Sequence, residues 1–161
     1  MKTLILVRHA KSSWEFNMKD HERPLKKRGY KDANLVFNAL KNEIYPDIVI
    51  SSDANRAKTT AELYVSHLNI DKNKINLNHL LYDFSGVNLM QVVKNCKNSV
   101  NTLMIFGHNN AITNFVNTYG DVIIDNVPTC GVTIIEFNIE NWSDLNKGKT
   151  IKTLFPKDLK Q

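Results

Sequence analysis

Thr3-Leu4-Ile5-Leu6-Val7-Arg8-His9 is a short, nearly continuous apolar run that stops abruptly on two polar side chains. A run of this length without polar alternation reads as a β-strand buried on both faces. The pattern returns at Asp47-Ile48-Val49-Ile50 after Pro46, more weakly at 75–77, and strongly at 102–106. Between these runs the spacing turns helical: Ala33, Val36, Phe37 and Leu40; Ala57, Ala61, Tyr64, Val65 and Leu68; Leu89, Val92, Val93 and Cys96; Ile112, Phe115, Val116 and Tyr119. Residues 131–139 and 150–155 are long and β-branched, and predict a hairpin at one sheet edge. Strands alternating with helices predict an α/β chain: a three-layer α/β/α sandwich on a mostly parallel sheet with a C-terminal edge hairpin. No repeat or linker interrupts it, so one domain over 1–161 is expected.

The net charge of +5 invites a nucleic-acid reading, which its distribution weakens. Residues 1–31 carry nine basic and three acidic side chains, and residues 147–161 carry five and one. The stretch between them holds seven basic and twelve acidic residues. Lysine-rich ends without aromatic interleaving are a solvated surface. No apolar run reaches the ~18–20 residues that span a bilayer. The apolar start is too short for a signal peptide. Cys96 and Cys130 alone make no disulfide framework or metal-ligand spacing. The expectation is a cytoplasmic protein with no nucleic-acid partner and no membrane partner.

In a parallel sheet, ligands bind where strands end and loops lead into helices. Arg8-His9 follows the first strand, Ser51-Ser52 through Arg56 the second, Tyr82-Asp83 the third and Gly107-His108-Asn109 the fourth. Two histidines, two arginines and a carboxylate thus converge on one rim. Two guanidiniums facing one pocket suit a phosphate, held by bidentate charge-assisted hydrogen bonds. Flanking cations disfavour imidazolium, which leaves a neutral histidine available as a nucleophile. Other phosphate chemistries fail locally. The six glycines are too dispersed for a P-loop, neither cysteine precedes an arginine by five residues, and no Gly-x-Ser-x-Gly elbow or His-x-x-x-His pair occurs. Histidine-based, metal-free phosphoryl transfer remains, with no cofactor expected.

Leu6-Val7-Arg8-His9-Ala10-Lys11-Ser12 resembles the Arg-His signature of the histidine phosphatase superfamily, the phosphoglycerate-mutase-like fold. The likeness continues through Glu22-Arg23-Pro24-Leu25, Arg28-Gly29, Ser51-Ser52, Arg56-Ala57, Thr60-Ala61, Gly107-His108-Asn109 and Asn126-Val127-Pro128-Thr129-Cys130-Gly131. Together with the tail Leu154-Phe155-Pro156-Lys157-Asp158-Leu159, it resembles the compact bacterial phosphohistidine phosphatases. The resemblance implies that His9 attacks phosphorus and becomes a phosphohistidine that water hydrolyses. It implies that Arg8 and Arg56 hold the equatorial oxygens and that His108 donates to the phosphoryl group. Ser12 and Trp14, on the loop after His9, become substrate-binding candidates.

The departures from the family pattern also inform the reading. Ala10 stands where glycine is commoner, Asp53 where proline is usual, and Asn110-Ala111 replaces Pro-Gly. Many relatives carry a carboxylic acid after the third strand to protonate the leaving group. Here Asp83 is the possible acid, against the plainer reading of an exposed loop aspartate. Asp53 reads as a helix cap, His21, His67 and His79 as structural or surface residues, and Arg23 and Arg28 as salt-bridge or rim arginines. Residues 69–102 leave little room for a mutase lid. The leading expectation is a phosphatase acting on a phosphorylated protein, specifically phosphohistidine. The alternatives are a phosphatase of small phosphorylated metabolites and a non-catalytic phosphate-binding module.

Overall fold

The structure, a computed structural model, describes residues 1–160. Its sheet contains β1 (Lys2–Arg8), β2 (Ile48–Ser51), β3 (Ile75–Leu77), β4 (Thr102–Gly107), β5 (Val132–Phe137) and β6 (Lys149–Leu154), in spatial order β3-β2-β4-β1-β5-β6. The first four strands of that order pair in parallel. β5 runs antiparallel to both β1 and β6. A single strand is therefore reversed, and the connection from β5 to β6 passes through a 3₁₀ turn at Trp142–Asp144.

Five helices cover the sheet: α1 (Lys27–Leu40), α2 (Asn55–His67), α3 (Val87–Lys94), α4 (Ala111–Tyr119) and α5 (Pro156–Leu159). Along β1, Leu4 and Leu6 join one apolar core while Ile5 and Val7 join the other. This is the period-two alternation of a strand buried on both faces. The first core packs Leu89, Val92 and Val93 of α3 with Ile112, Phe115 and Val116 of α4. The second packs Ala33, Val36 and Phe37 of α1 with Ala61, Tyr64 and Val65 of α2. Two helical layers around one sheet result, as the periodicity predicts. The exposed face of β6 alternates with a half-buried one, which fits an edge strand. Among the described residues, no helix is long and apolar enough to cross a membrane.

One glycine fixes how the loop after β1 lies. A Cβ on Gly29 of α1 would stand 2.4 Å from the Lys11 carbonyl oxygen, far inside contact distance. The same carbonyl accepts from the Lys26 backbone N–H at 3.0 Å. A side chain at position 29 would push α1 away from residues 10–12, which follow directly on the pair Arg8-His9.

Candidate active site

The ends of β1, β2 and β4 meet at a cavity of about 450 Å³. Its walls include Arg8, His9, Ser12, Arg56 and His108, with exposed Trp14 and Phe84 at the mouth. The backbone of the central histidine is held from three sides. The His9 N–H donates to the Gly107 carbonyl of β4 at 3.1 Å, and the His9 carbonyl accepts from the Cys130 N–H at 3.0 Å. The Ala10 N–H donates to Thr60 Oγ1 of α2 at 2.9 Å, and that hydroxyl donates in turn to the Arg56 carbonyl at 2.7 Å. Thr60 therefore ties the loop after β1 to the helix that carries Arg56.

His9 Nδ1 lies 2.8 Å from the Ala10 carbonyl. A carbonyl only accepts, so Nδ1 carries the proton and Nε2 keeps its lone pair. Burial is the main force on His9 and drives its pKa down to about 3, with Arg56, Arg8 and Arg23 adding to the effect and the Ala10 hydrogen bond opposing it. His108 lies 5.2 Å away, ring centre to ring centre. Its Nε2 contacts Ser52 Oγ at 2.8 Å, while its buried Nδ1 has no partner. Ser52 Oγ already accepts from the Ala54 N–H at 3.2 Å, so its hydroxyl proton is free to be donated to His108 Nε2. That tautomer places a proton on the orphaned Nδ1. Burial, then the neighbouring His9 and Arg56 charges, lower the His108 pKa to about 2.

The arginines are organised around a residue that the sequence did not flag. Asp20 Oδ2 accepts from Arg56 Nη2 at 3.0 Å and from the Tyr82 hydroxyl at 2.5 Å, and Asp20 Oδ1 accepts from Arg23 Nε at 3.0 Å. The Asp20 backbone carbonyl takes a further bond from Arg56 Nη1 at 2.8 Å. Partial burial alone would raise the Asp20 carboxyl. The bonds from Tyr82, Arg23 and Arg56 outweigh it and hold the group well below the usual carboxylate range. Arg8 reaches the Val127 carbonyl at 2.9 Å, which anchors the 126–129 loop beside the cavity. The Nε atoms of Arg8 and Arg56 are buried and unpartnered. Buried donors of this kind cost stability unless something accepts from them.

Most residues singled out from the sequence come together here, and several land elsewhere. Ser12 Oγ accepts from Arg23 Nη1 at 2.6 Å, and the Arg23 guanidinium stacks on the Trp14 ring at 3.5 Å. Arg23 thus belongs to the cavity, whereas Arg28 pairs with Asp32 on α1 at 3.7 Å. Asp83 is not an exposed loop residue and does not line the cavity. It is buried, and its carboxylate accepts from the N–H groups of Ser85, Gly86, Asn88 and Leu89, so it caps the start of α3. Burial would raise its pKa, but the backbone donors, Leu89 first, bring it below the ordinary value. An acid held in the ionised form by four donors is a poor proton source for a leaving group. Asp53 does not cap α2: Ser52 takes the Ala54 N–H, and the Asp53 carboxylate meets His21 and His79 instead. Cys130 is buried and its thiol is pushed up to about 12, mainly by desolvation, which makes it inert.

The depressed histidines couple the site to stability. In the unfolded chain both titrate near ~6.5. Between that value and the folded ones the unfolded state binds more protons, so stability is fully present above ~6.5 and declines as pH falls toward 3. The slope is at most about 1.4 kcal/mol per pH unit for each histidine. Urea unfolding at pH 7 and pH 5 checks this: the midpoint should fall at pH 5 in the native chain, and by less in His108→Asn.

A buried histidine at the end of one central strand, a second histidine at the end of its neighbour and arginines around both match the phosphoglycerate-mutase-like α/β arrangement. Residues 4–80 match the family description "Histidine phosphatase superfamily (branch 1)". The fold and the site agree with that match, so over residues 4–80 the chain is similar to the histidine phosphatase superfamily. An uncharacterised chloroplastic protein of Arabidopsis thaliana is 28% identical over 157 residues, covering 89% of this chain and 70% of its own length. An uncharacterised protein of Mycobacterium tuberculosis is 26% identical over 153 residues, covering 88% and 93%. Among solved structures, the protein histidine phosphatase SixA complexed with tungstate superposes with a TM-score of 0.79 at 19% identity, over 98% of this chain and 99% of its own. The SixA chain of Agrobacterium tumefaciens gives 0.76 at 22% identity, over 95% and 97%.

Proposed function

We propose that this chain is a phosphatase that passes a phosphoryl group to Nε2 of His9 and then to water, with phosphohistidine in a protein as its substrate. The observation that carries the reading is the committed tautomer of His9. Nδ1 is spent on the Ala10 carbonyl, and the free Nε2 lone pair belongs to a cavity ringed by Arg8, Arg56, Arg23 and His108. Attack by Nε2 on phosphorus breaks the bond to the leaving group and leaves phosphohistidine on His9. Water then attacks phosphorus, restores the neutral imidazole and releases inorganic phosphate. Arg8, Arg56 and His108 line the cavity and are the donors for the equatorial oxygens, whose charge must be stabilised through both steps. A ring of guanidiniums repels a metal cation, which favours catalysis by the side chains alone.

The substrate class follows from the acids. The carboxylate lining the cavity, Asp20, is locked in its ionised form by three donors, and Asp83 is turned away into the α3 cap. An alkoxide leaving group needs a proton donor, whereas an imidazole leaving group is far less basic and departs with less help. Exposed Trp14 and Phe84 at the mouth offer apolar surface to a macromolecular substrate. Likeness to the SixA proteins supports the same reading.

The test is a substrate panel in EDTA: a phosphohistidine-bearing protein, p-nitrophenyl phosphate and several sugar phosphates. Phosphohistidine should be turned over at the highest kcat/KM, and p-nitrophenyl phosphate, whose leaving group is also weakly basic, at a lower one. Faster turnover of sugar phosphates would refute the substrate assignment. Inertness toward every compound would refute the enzyme.

A further inference from the structure

We propose that His21, Asp53 and His79 form a binding site for one divalent transition-metal ion of the zinc type, separate from the phosphoryl cavity. His21 Nε2 lies 2.9 Å from Asp53 Oδ1, and His79 Nδ1 lies 3.0 Å from each Asp53 oxygen. One ligand atom from each residue falls within 4.8 Å of the others. The three come from different elements: the 3₁₀ turn Asp20–Glu22, the loop between β2 and α2, and the 3₁₀ turn His79–Leu81.

The arrangement is one that capping or packing does not account for. Asp53 is well placed by sequence to cap α2, yet among the described residues its carboxylate bonds only to the two imidazoles. The helix-side N–H that it could have taken is satisfied by Ser52. Tyr82 packs edge-on against His21, ring centres 4.9 Å apart and planes at 87°, and so restricts the imidazole that points at Asp53.

The distances suit the ion. Metal–ligand bonds of ~2.0–2.2 Å in a tetrahedral zinc site put neighbouring ligand atoms about 3.3–3.6 Å apart. The nitrogen–oxygen separations need widen by about half an ångström, and the two imidazole nitrogens close up from within 4.8 Å through the exposed His79 side chain, for an ion to replace the imidazole protons now shared with the carboxylate. Two imidazoles and one carboxylate select Zn²⁺, Co²⁺, Ni²⁺ or Cu²⁺ over Mg²⁺ and Ca²⁺, which prefer all-oxygen shells. The His79 side chain is 73% exposed, so a fourth position is open to water. His21 directly follows Asp20, the counter-ion of Arg56 and Arg23. An ion here would pin that turn to the β2–α2 loop while staying outside the reaction.

The experiment uses the full chain without a histidine tag, stripped with EDTA and exchanged into buffer. Co²⁺ should bind at one equivalent with visible ligand-field absorption, Zn²⁺ should displace it and raise the melting temperature, and Mg²⁺ should do neither. His79→Ala, at an exposed position, and Asp53→Asn, which keeps the shape, should each weaken Zn²⁺ binding beyond the ~10–100-fold that changes around metal ligands typically cost. His9→Ala should bind Zn²⁺ like the native chain. Zn²⁺ affinity weaker than ~1 mM, binding indifferent to His79→Ala, or binding lost in His9→Ala would each overturn the site. These readouts do not use turnover, so they stand apart from the phosphatase assignment.

Discussion

His9→Ala is expected to lower phosphohistidine hydrolysis by ~10⁴-fold or more, because the variant lacks the atom that accepts the phosphoryl group. The arginines and His108 stay in place, so the affinity for a bound oxyanion such as tungstate or vanadate should change only a few-fold. That split between rate and affinity separates loss of a nucleophile from collapse of the pocket. The fold should survive, since the His9 backbone bonds to Gly107 and Cys130 need no side chain. Rapid quench with labelled substrate gives a second readout: the native chain should accumulate an acid-labile, base-stable phosphoprotein, and the variant none. Residual activity within tenfold of native would remove His9 from the nucleophile's role.

Arg56→Lys should cost ~10²–10³-fold in kcat, the range seen when one preorganised donor to a developing oxyanion is removed. Charge is conserved, so the loss isolates geometry. Arg56 spends both terminal nitrogens on Asp20 and keeps a buried Nε–H without a partner. Lysine presents one flexible ammonium and cannot hold Asp20 while also reaching a phosphoryl oxygen in a fixed direction. Steady-state kinetics beside a circular dichroism spectrum checks this, and a variant within tenfold of native kcat would show that Arg56 serves structure alone.

Much of the architecture could be read from the chain because buried parallel strands leave an unmistakable signal. The apolar run at 3–7 became β1, and the run at 102–106 became β4, its parallel neighbour. The hairpin expected of 131–139 and 150–155 is the antiparallel pair β5–β6 at the sheet edge, while which of its strands runs against β1 emerges only from pairing. α5 escaped notice because four residues opening on a proline show no full helical period. Arg8, His9, Ser52, Arg56 and His108 were legible as residues just past strand ends. Asp20 was not, since it acts by meeting Arg56 and Tyr82 across sequence separations of 36 and 62 residues. Asp53 misled for the opposite reason: its position beside a helix start fitted a local role, while distant histidines took its carboxylate.

The pairing of Asp20 with Arg56 and Arg23 bears on how the product leaves. Three guanidiniums alone would grip inorganic phosphate with a combined charge of +3. The fixed carboxylate reduces the guanidinium charge to +2, with Lys11 adding one more positive charge at the cavity wall. Asp20 also holds two of the guanidiniums by direct bonds, so phosphate competes with a resident anion for them. A pocket built in this way is expected to hold inorganic phosphate less tightly than the guanidiniums alone would.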